Sequence, residues 1–132
     1  MTMTIQISTL DNNGDARGLS FAMPPEALEF VGRVADMLFA STNPGAVRGN
    51  HYHLSKRQAL VLFPGTAWSL YWDEGEGTAA QHRNFDGESA ILVLVSPGCS
   101  QAIRNEGAEP LWLVACSSKP YDPKEIVARR VI

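Results

Sequence analysis

The chain has 132 residues, close to the commonest size for one domain, and is 45% hydrophobic against 19% charged, a composition that excludes disorder over most of its length. Its 11 basic and 14 acidic side chains give a net charge of −3, and its adjacent basic pairs, Lys56-Arg57 and Arg129-Arg130, form no stripe. A nucleic-acid binder would need a clustered basic face, so nucleic acid is excluded as a partner.

No apolar run approaches bilayer length, which excludes a membrane-spanning helix. Met1 to Leu10 lack the basic start and apolar centre of a secretory signal, so the cytoplasm is the expected compartment. The two cysteines, Cys99 and Cys116, have no redox or metal-motif spacing and are read as reduced, small apolar fillers.

In chain order, residues 5–9 are expected to form a strand, closed by the turn Asn12-Asn13-Gly14-Asp15. Over residues 27–39, Leu28, Val31, Ala35 and Leu38 fall at helical spacing, but Gly32 interrupts them. The preferred reading there is strand, loop, strand, with 37–41 extended. After Asn43-Pro44-Gly45, strands are expected at 59–63, 67–72, 90–95, 101–104 and 111–117, separated by Pro64-Gly65, Asp86-Gly87, Pro97-Gly98 and Glu106-Gly107. His82-Arg83, after the acidic glycine-rich turn at 73–77, reads as solvated loop. Trp68, Trp72 and Trp112 read as core or dimer-interface aromatics. Asp122-Pro123-Lys124-Glu125 carries helix-start signals and predicts a short helix over 123–130.

Short strands with short connections and no long amphipathic helix between them point to an antiparallel all-β sandwich or barrel. The chemistry is concentrated in Gly45-Ala46-Val47-Arg48-Gly49-Asn50-His51-Tyr52-His53, which holds two of the chain's three histidines. On a strand, side chains at i and i+2 share a face, so the two imidazoles project together and Tyr52 faces away. Such a pair can hold a metal, or act as a base and its partner toward a ligand.

The spacing from Gly45 through His51-Tyr52-His53 and Gln58 to Gly65 resembles the first cupin motif. Pro97-Gly98-Cys99-Ser100-Gln101 through Asn105 resembles the second, with Gln58 and Gln101 where the motifs carry glutamate and histidine. Within cupins, Arg48-Gly49-Asn50-His51-Tyr52-His53 is similar to the cupin domain of capsular-polysaccharide sugar-nucleotide enzymes. Its Arg-Gly-x-His core is similar to dTDP-4-dehydrorhamnose 3,5-epimerases and nucleotide-sugar 3,4-ketoisomerases. Asp15-Ala16-Arg17-Gly18 resembles a stretch near the start of the epimerases, and residues 118–123 resemble their tail.

The resemblance implies an antiparallel double-stranded β-helix, the cupin jelly-roll barrel, in a single domain 1–132 with its barrel over about 15–118 and a short helix or tail over 119–132. It implies proton transfer on a nucleotide-linked keto-sugar, with His51 as base, Arg48 at the diphosphate, and His53 as second base, ligand-orienting donor or metal ligand. Gln58 and Gln101 would then bind substrate, and a homodimer is expected. No cofactor is required on this reading. Tyr71 and Tyr121 are candidates for the acid, although packing is their preferred role.

Two other readings remain. In one, the chain is a non-catalytic cupin that binds a carbohydrate or another small molecule, because Gln58 and Gln101 replace charge or imidazole. In the other, Zn, Ni, Mn or Fe is held by His51, His53, Gln58 and Gln101. Two imidazoles and two neutral amides make a weak ligand set, which places that reading last.

Overall fold

The computed structural model describes residues 4–132; residues 1–3, part of the expected single domain, lie outside the described residues. The strands are β1 (Ile5–Leu10), β2 (Asp36–Thr42), β3 (Val47–His53), β4 (Gln58–Leu62), β5 (Trp68–Trp72), β6 (Gln81–Phe85), β7 (Ala90–Val95), β8 (Gln101–Asn105), β9 (Leu111–Ser117) and β10 (Ile126–Ala128), with one helix, α1 (Pro25–Val31), between β1 and β2. They form two antiparallel five-stranded sheets, in the orders β1-β7-β4-β9-β2 and β10-β3-β8-β5-β6: the cupin jelly roll.

The first sheet is apolar on both faces, and over β4 and β7 each face has a cover. Leu60, Leu62, Val93 and Val95 pack inward against Trp68, Leu70 and Ile103 of the second sheet. Ala59, Val61, Leu92 and Leu94 pack outward against Ala27 and Val31 of α1 and against Phe21 and Met23. This double cover is why β7, Ala-Ile-Leu-Val-Leu-Val, is buried at every position and lacks the apolar–polar alternation of a half-exposed strand. Burial of a leucine such as Leu62, fully hidden, stabilises by about 2 kcal/mol.

Asn105 knits one end of the roll. Its amide nitrogen donates to the Thr42 and Glu109 carbonyls at 2.9 and 2.7 Å, and its oxygen accepts from Thr66 Oγ1 and the Gly107 N–H. With every polar atom satisfied, this fully buried amide acts as structural glue.

Three expectations are corrected. Residues 27–39 are helix, break, strand rather than strand, loop, strand. Pro25 opens α1, Ala27 and Val31 bury one turn apart, and Gly32, at φ 76, ends it by donating to the Leu28 carbonyl before β2 begins. His82-Arg83 lies in a strand, the edge strand β6, where its five residues stay largely exposed while pairing with β5. The helix expected over 123–130 stops at Glu125 as a single 3-10 turn capped by Asp122, whose side chain accepts from the Lys124 N–H. Ile126 and Val127 are β-branched, and the free edge of β3 offers them a ladder, so β10 forms instead. The tryptophans diverge: Trp68 is core, stacked on Phe85 at 4.3 Å, Trp72 packs at the core margin, and Trp112 is 56% exposed on the outer face.

Candidate functional site

The site grows from β3, which lies between β8 and β10. Its ladder with β8 pairs Arg48 with Ile103 and Gly49 with Ala102, then resumes with His51 opposite Gln101, so Asn50 is an extra residue, a β-bulge. In a regular strand Arg48 and His51, three apart, would face opposite sides. The inserted residue reverses the alternation and turns both toward the hollow between the sheets. Gly49 has φ 111, and a Cβ there would lie 2.3 Å from the Gln101 carbonyl oxygen; only glycine lets β3 approach β8 so closely.

A cavity of about 270 Å³ opens at this place. Arg48, His51, Gln58 and Gln101 are its polar lining, and Leu38, Leu60, Ile103 and Leu113 are prominent in its apolar wall. Four of the five residues singled out from the sequence therefore meet on one surface, although they come from β3, β4 and β8. His53, the fifth, is buried behind His51; the ring centroids are 5.3 Å apart and the planes meet at 75°. Tyr52 faces the other way, under the Arg129 guanidinium at 4.3 Å.

Electrostatics keep both imidazoles neutral. Burial lowers the pKa of His51, a backbone hydrogen bond involving Gly49 works against the shift, and the Lys56 ammonium adds to it. Burial, then the neighbouring His51 and Lys56, push His53 down to about 4, while Glu125 and the nearby Gln58 oppose the shift. Gln58 is near enough to be felt by His53 but is not placed to bond it: neither ring nitrogen of His53 has a hydrogen-bond partner. The Gln58 amide nitrogen instead donates to Ser117 Oγ at 3.1 Å. Arg48 directs Nε and Nη2 at the Ser41 carbonyl, at 3.0 and 2.7 Å, which ties β3 to the edge strand β2 across the cavity rim.

Lys56 was not singled out from the sequence, where it reads as a solvated charge beside Arg57. It is only 4% exposed and close enough to depress both imidazoles. The loop that carries it is clamped by the Glu125 carboxylate, which accepts from the Ser55 N–H and hydroxyl at 3.0 and 2.9 Å. Tyr71 and Tyr121 do not line the cavity: Tyr71 stacks on His82 at 5.2 Å, and Tyr121 is 70% exposed. Cys99 is buried, and burial pushes its thiol up to about 11, far from a nucleophile.

The residues present do not suit a divalent metal. His51, His53, Gln58 and Gln101 include no carboxylate, and the charge of the Lys56 ammonium reaches both imidazoles, a field that opposes a further cation. Among the described residues, no three His, Cys, Asp or Glu side chains gather as a ligand set.

Comparison with known proteins places this geometry. An 84-residue stretch is 29% identical to the UDP-2-acetamido-2,6-beta-L-arabino-hexul-4-ose reductase of Pseudomonas aeruginosa, covering 64% of this chain and 22% of that protein. The chain thus matches about a fifth of the length of this curated relative. The fold superposes on a 3'-monoepimerase from Streptomyces bikiniensis solved with dTDP-quinovose, with a TM-score of 0.77 and 21% identity over 94% of this chain and 68% of that one. It also superposes on a 3,4-ketoisomerase from Helicobacter canadensis, with a TM-score of 0.70 and 20% identity over 95% of this chain and 90% of the other. At these identities the structural likeness shows a shared fold. Over residues 13–126 the sequence fits the family model for the polysaccharide biosynthesis C-terminal domain, and the chain belongs to that family.

Proposed function

We propose that the protein isomerises or epimerises a nucleotide-linked keto-sugar by proton transfer, with His51 as the base. The observation that carries this reading is one cavity in which a neutral imidazole, a guanidinium and two amides converge between apolar walls. Its volume of about 270 Å³, at the low end for a small-molecule site, suits a sugar ring inside with the nucleotide lying along the rim. Arg48 sits at that rim and keeps N–H groups beyond the two on Ser41 for a diphosphate. Two of the relatives named above, the UDP-sugar reductase and the monoepimerase solved with dTDP-quinovose, agree with this class of ligand.

In the reaction, the proton on the carbon beside the carbonyl passes to the His51 imidazole, and the electron pair moves onto the carbonyl oxygen. The Lys56 ammonium, whose charge reaches both imidazoles, adds a positive field that favours that developing negative charge. Return of the proton to the former carbonyl carbon, while the adjacent hydroxyl passes its proton to the enolate oxygen and becomes the new carbonyl, gives the isomer; return to the same carbon from the opposite face gives the epimer. Epimerisation needs a second group across the sugar, and neither Tyr71 nor Tyr121 lines the cavity. A single base that takes and returns the proton therefore makes isomerisation the preferred branch.

Incubation with dTDP-4-keto-6-deoxyglucose, and in parallel with UDP-keto-sugars, in deuterated water tests this. Deuterium should appear beside the carbonyl, and His51→Ala should slow its appearance about 1,000-fold, the scale of a lost general base. No exchange, with the ligand still raising the melting temperature, would leave a non-catalytic sugar binder, the reading favoured by the neutral Gln58 and Gln101. One first-row metal per chain in the purified protein would instead restore the metal reading. We also place the protein in the cytoplasm as a homodimer, with exposed Phe39 and Trp112 on the outer face as the apolar contact; sedimentation tests the oligomer.

A further inference from the structure

Asn50 takes no part in the chemistry above, yet the segment 126–132 is organised around it. It is the only non-glycine residue among the described residues with positive φ, at 60°, a conformation that asparagine tolerates better than most side chains. Its backbone carbonyl accepts from the Arg129 N–H at 2.9 Å. Its side-chain oxygen accepts from the Val131 and Ile132 N–H groups at 2.9 and 3.2 Å.

The gripped segment is held on both sides of this contact. Before it, β10 pairs Ala128 with His51 and Ile126 with His53, walling β3 along its free edge. At Arg129, the guanidinium makes a paired contact with the Asp73 carboxylate at 2.8 and 2.6 Å and covers the Tyr52 ring. A bulge can migrate along a strand if nothing fixes the extra residue, and migration by one position would turn side chains to the other face. Here the extra residue has its carbonyl and its amide oxygen tied to a segment that is itself anchored at Asp73.

We propose that Asn50 is a positioning residue: by gripping residues 129–132 from the bulge in β3, it holds Arg48 and the His51 imidazole on the cavity side together. Its catalytic meaning rests on the reading of His51 as the base; the geometric claim does not. Asn50→Gly keeps the positive φ and removes the side-chain acceptor, whereas Asn50→Asp keeps both.

Two readouts test it. Nuclear Overhauser contacts from the His51 ring to the cavity methyls should weaken in Asn50→Gly and persist in Asn50→Asp. With dTDP-4-keto-6-deoxyglucose in deuterated water, the exchange kcat should fall about 100-fold in Asn50→Gly with KM little changed, and return in Asn50→Asp, as expected for a misplaced base. A folded Asn50→Gly that retains both the contacts and kcat would overturn the proposal. If wild type shows no exchange, the isomerase reading fails while the His51 contacts still decide the positioning role. If Asn50→Gly does not fold, Val131→Pro removes one of the gripped N–H groups with Asn50 intact; a displaced His51 ring supports the proposal, and an unmoved one overturns it.

Discussion

β7 and β3 hold the same place, each an inner strand of a five-stranded sheet, and they are built in opposite ways. β7 is Ala-Ile-Leu-Val-Leu-Val, buried throughout, and pairs residue for residue with β1 and β4. β3 is Val-Arg-Gly-Asn-His-Tyr-His, with His53 its one fully buried residue and a bulge in its ladder. The regular strand serves stability alone. The irregular one presents a guanidinium and an imidazole on one face, which regular alternation forbids for residues three apart. The two strands thus carry different loads, and each can be broken separately.

The largest effect on stability belongs to the regular sheet. Leu92→Ala, at a side chain 2% exposed and packed toward α1, should destabilise by about 3 kcal/mol and lower the melting temperature by roughly 10 °C. Because Leu92 faces the outer core, deuterium exchange by the folded fraction should be unchanged. Loss of exchange at a temperature where the variant is fully folded would show that β7 and β3 are not separable in this way.

A smaller loss of stability, with a larger loss of activity, is expected at the bulge. In Gly49→Ala the new methyl meets the Gln101 carbonyl and the backbone sits at φ 111, so β3 and β8 must separate. Strain of this kind costs about 2 kcal/mol. Exchange should fall at least about 100-fold, because both Gln101 and His51 move. Wild-type exchange in a folded Gly49→Ala would mean that the close approach of β3 to β8 does not matter to the site.

The sequence was most legible where one physical signal dominated. Residues 111–117 are β9 to the residue, because an apolar run bounded by turns has few other ways to fold. β6 was invisible: Gln-His-Arg-Asn-Phe has no apolar alternation, and it is a strand only because β5 offers an edge. The exchange of the expected terminal helix for β10 has the same cause, a partner edge distant in sequence. At the site, the i and i+2 rule placed His51 and His53 together, and the motif resemblance added Arg48, Gln58 and Gln101. Neither found the bulge, although the three-residue offset from Arg48 to His51 was the signal for it. Lys56 was missed because a lysine beside an arginine reads as solvated, and its burial depends on how the loop is clamped by Glu125.

A pH dependence no larger than the strain in Gly49→Ala separates β3 from the rest of the chain. His53 takes a proton only near pH 4 in the folded protein, against 6.5 for an unperturbed histidine. Between those values the unfolded chain binds a proton that the native state refuses. Stability is therefore full above pH 6.5 and falls as the pH drops toward 4. With allowance for screening by solvent that reaches the cavity, the loss is about 2 kcal/mol. His51, whose pKa is also lowered by burial, adds in the same direction. Burial alone would raise Asp73, but Arg129 and the Gly75 and Ser100 N–H groups outweigh it and hold that carboxylate below its ordinary 3.8, so its contribution disappears only at lower pH. Urea midpoints at pH 7.5, 5.5 and 4.5 should thus decline in wild type and decline less in His53→Leu, which has no ring to protonate. An equal decline in both proteins would mean that His53 is solvated in the native state, and β3 would then be as open to water as β7 is closed.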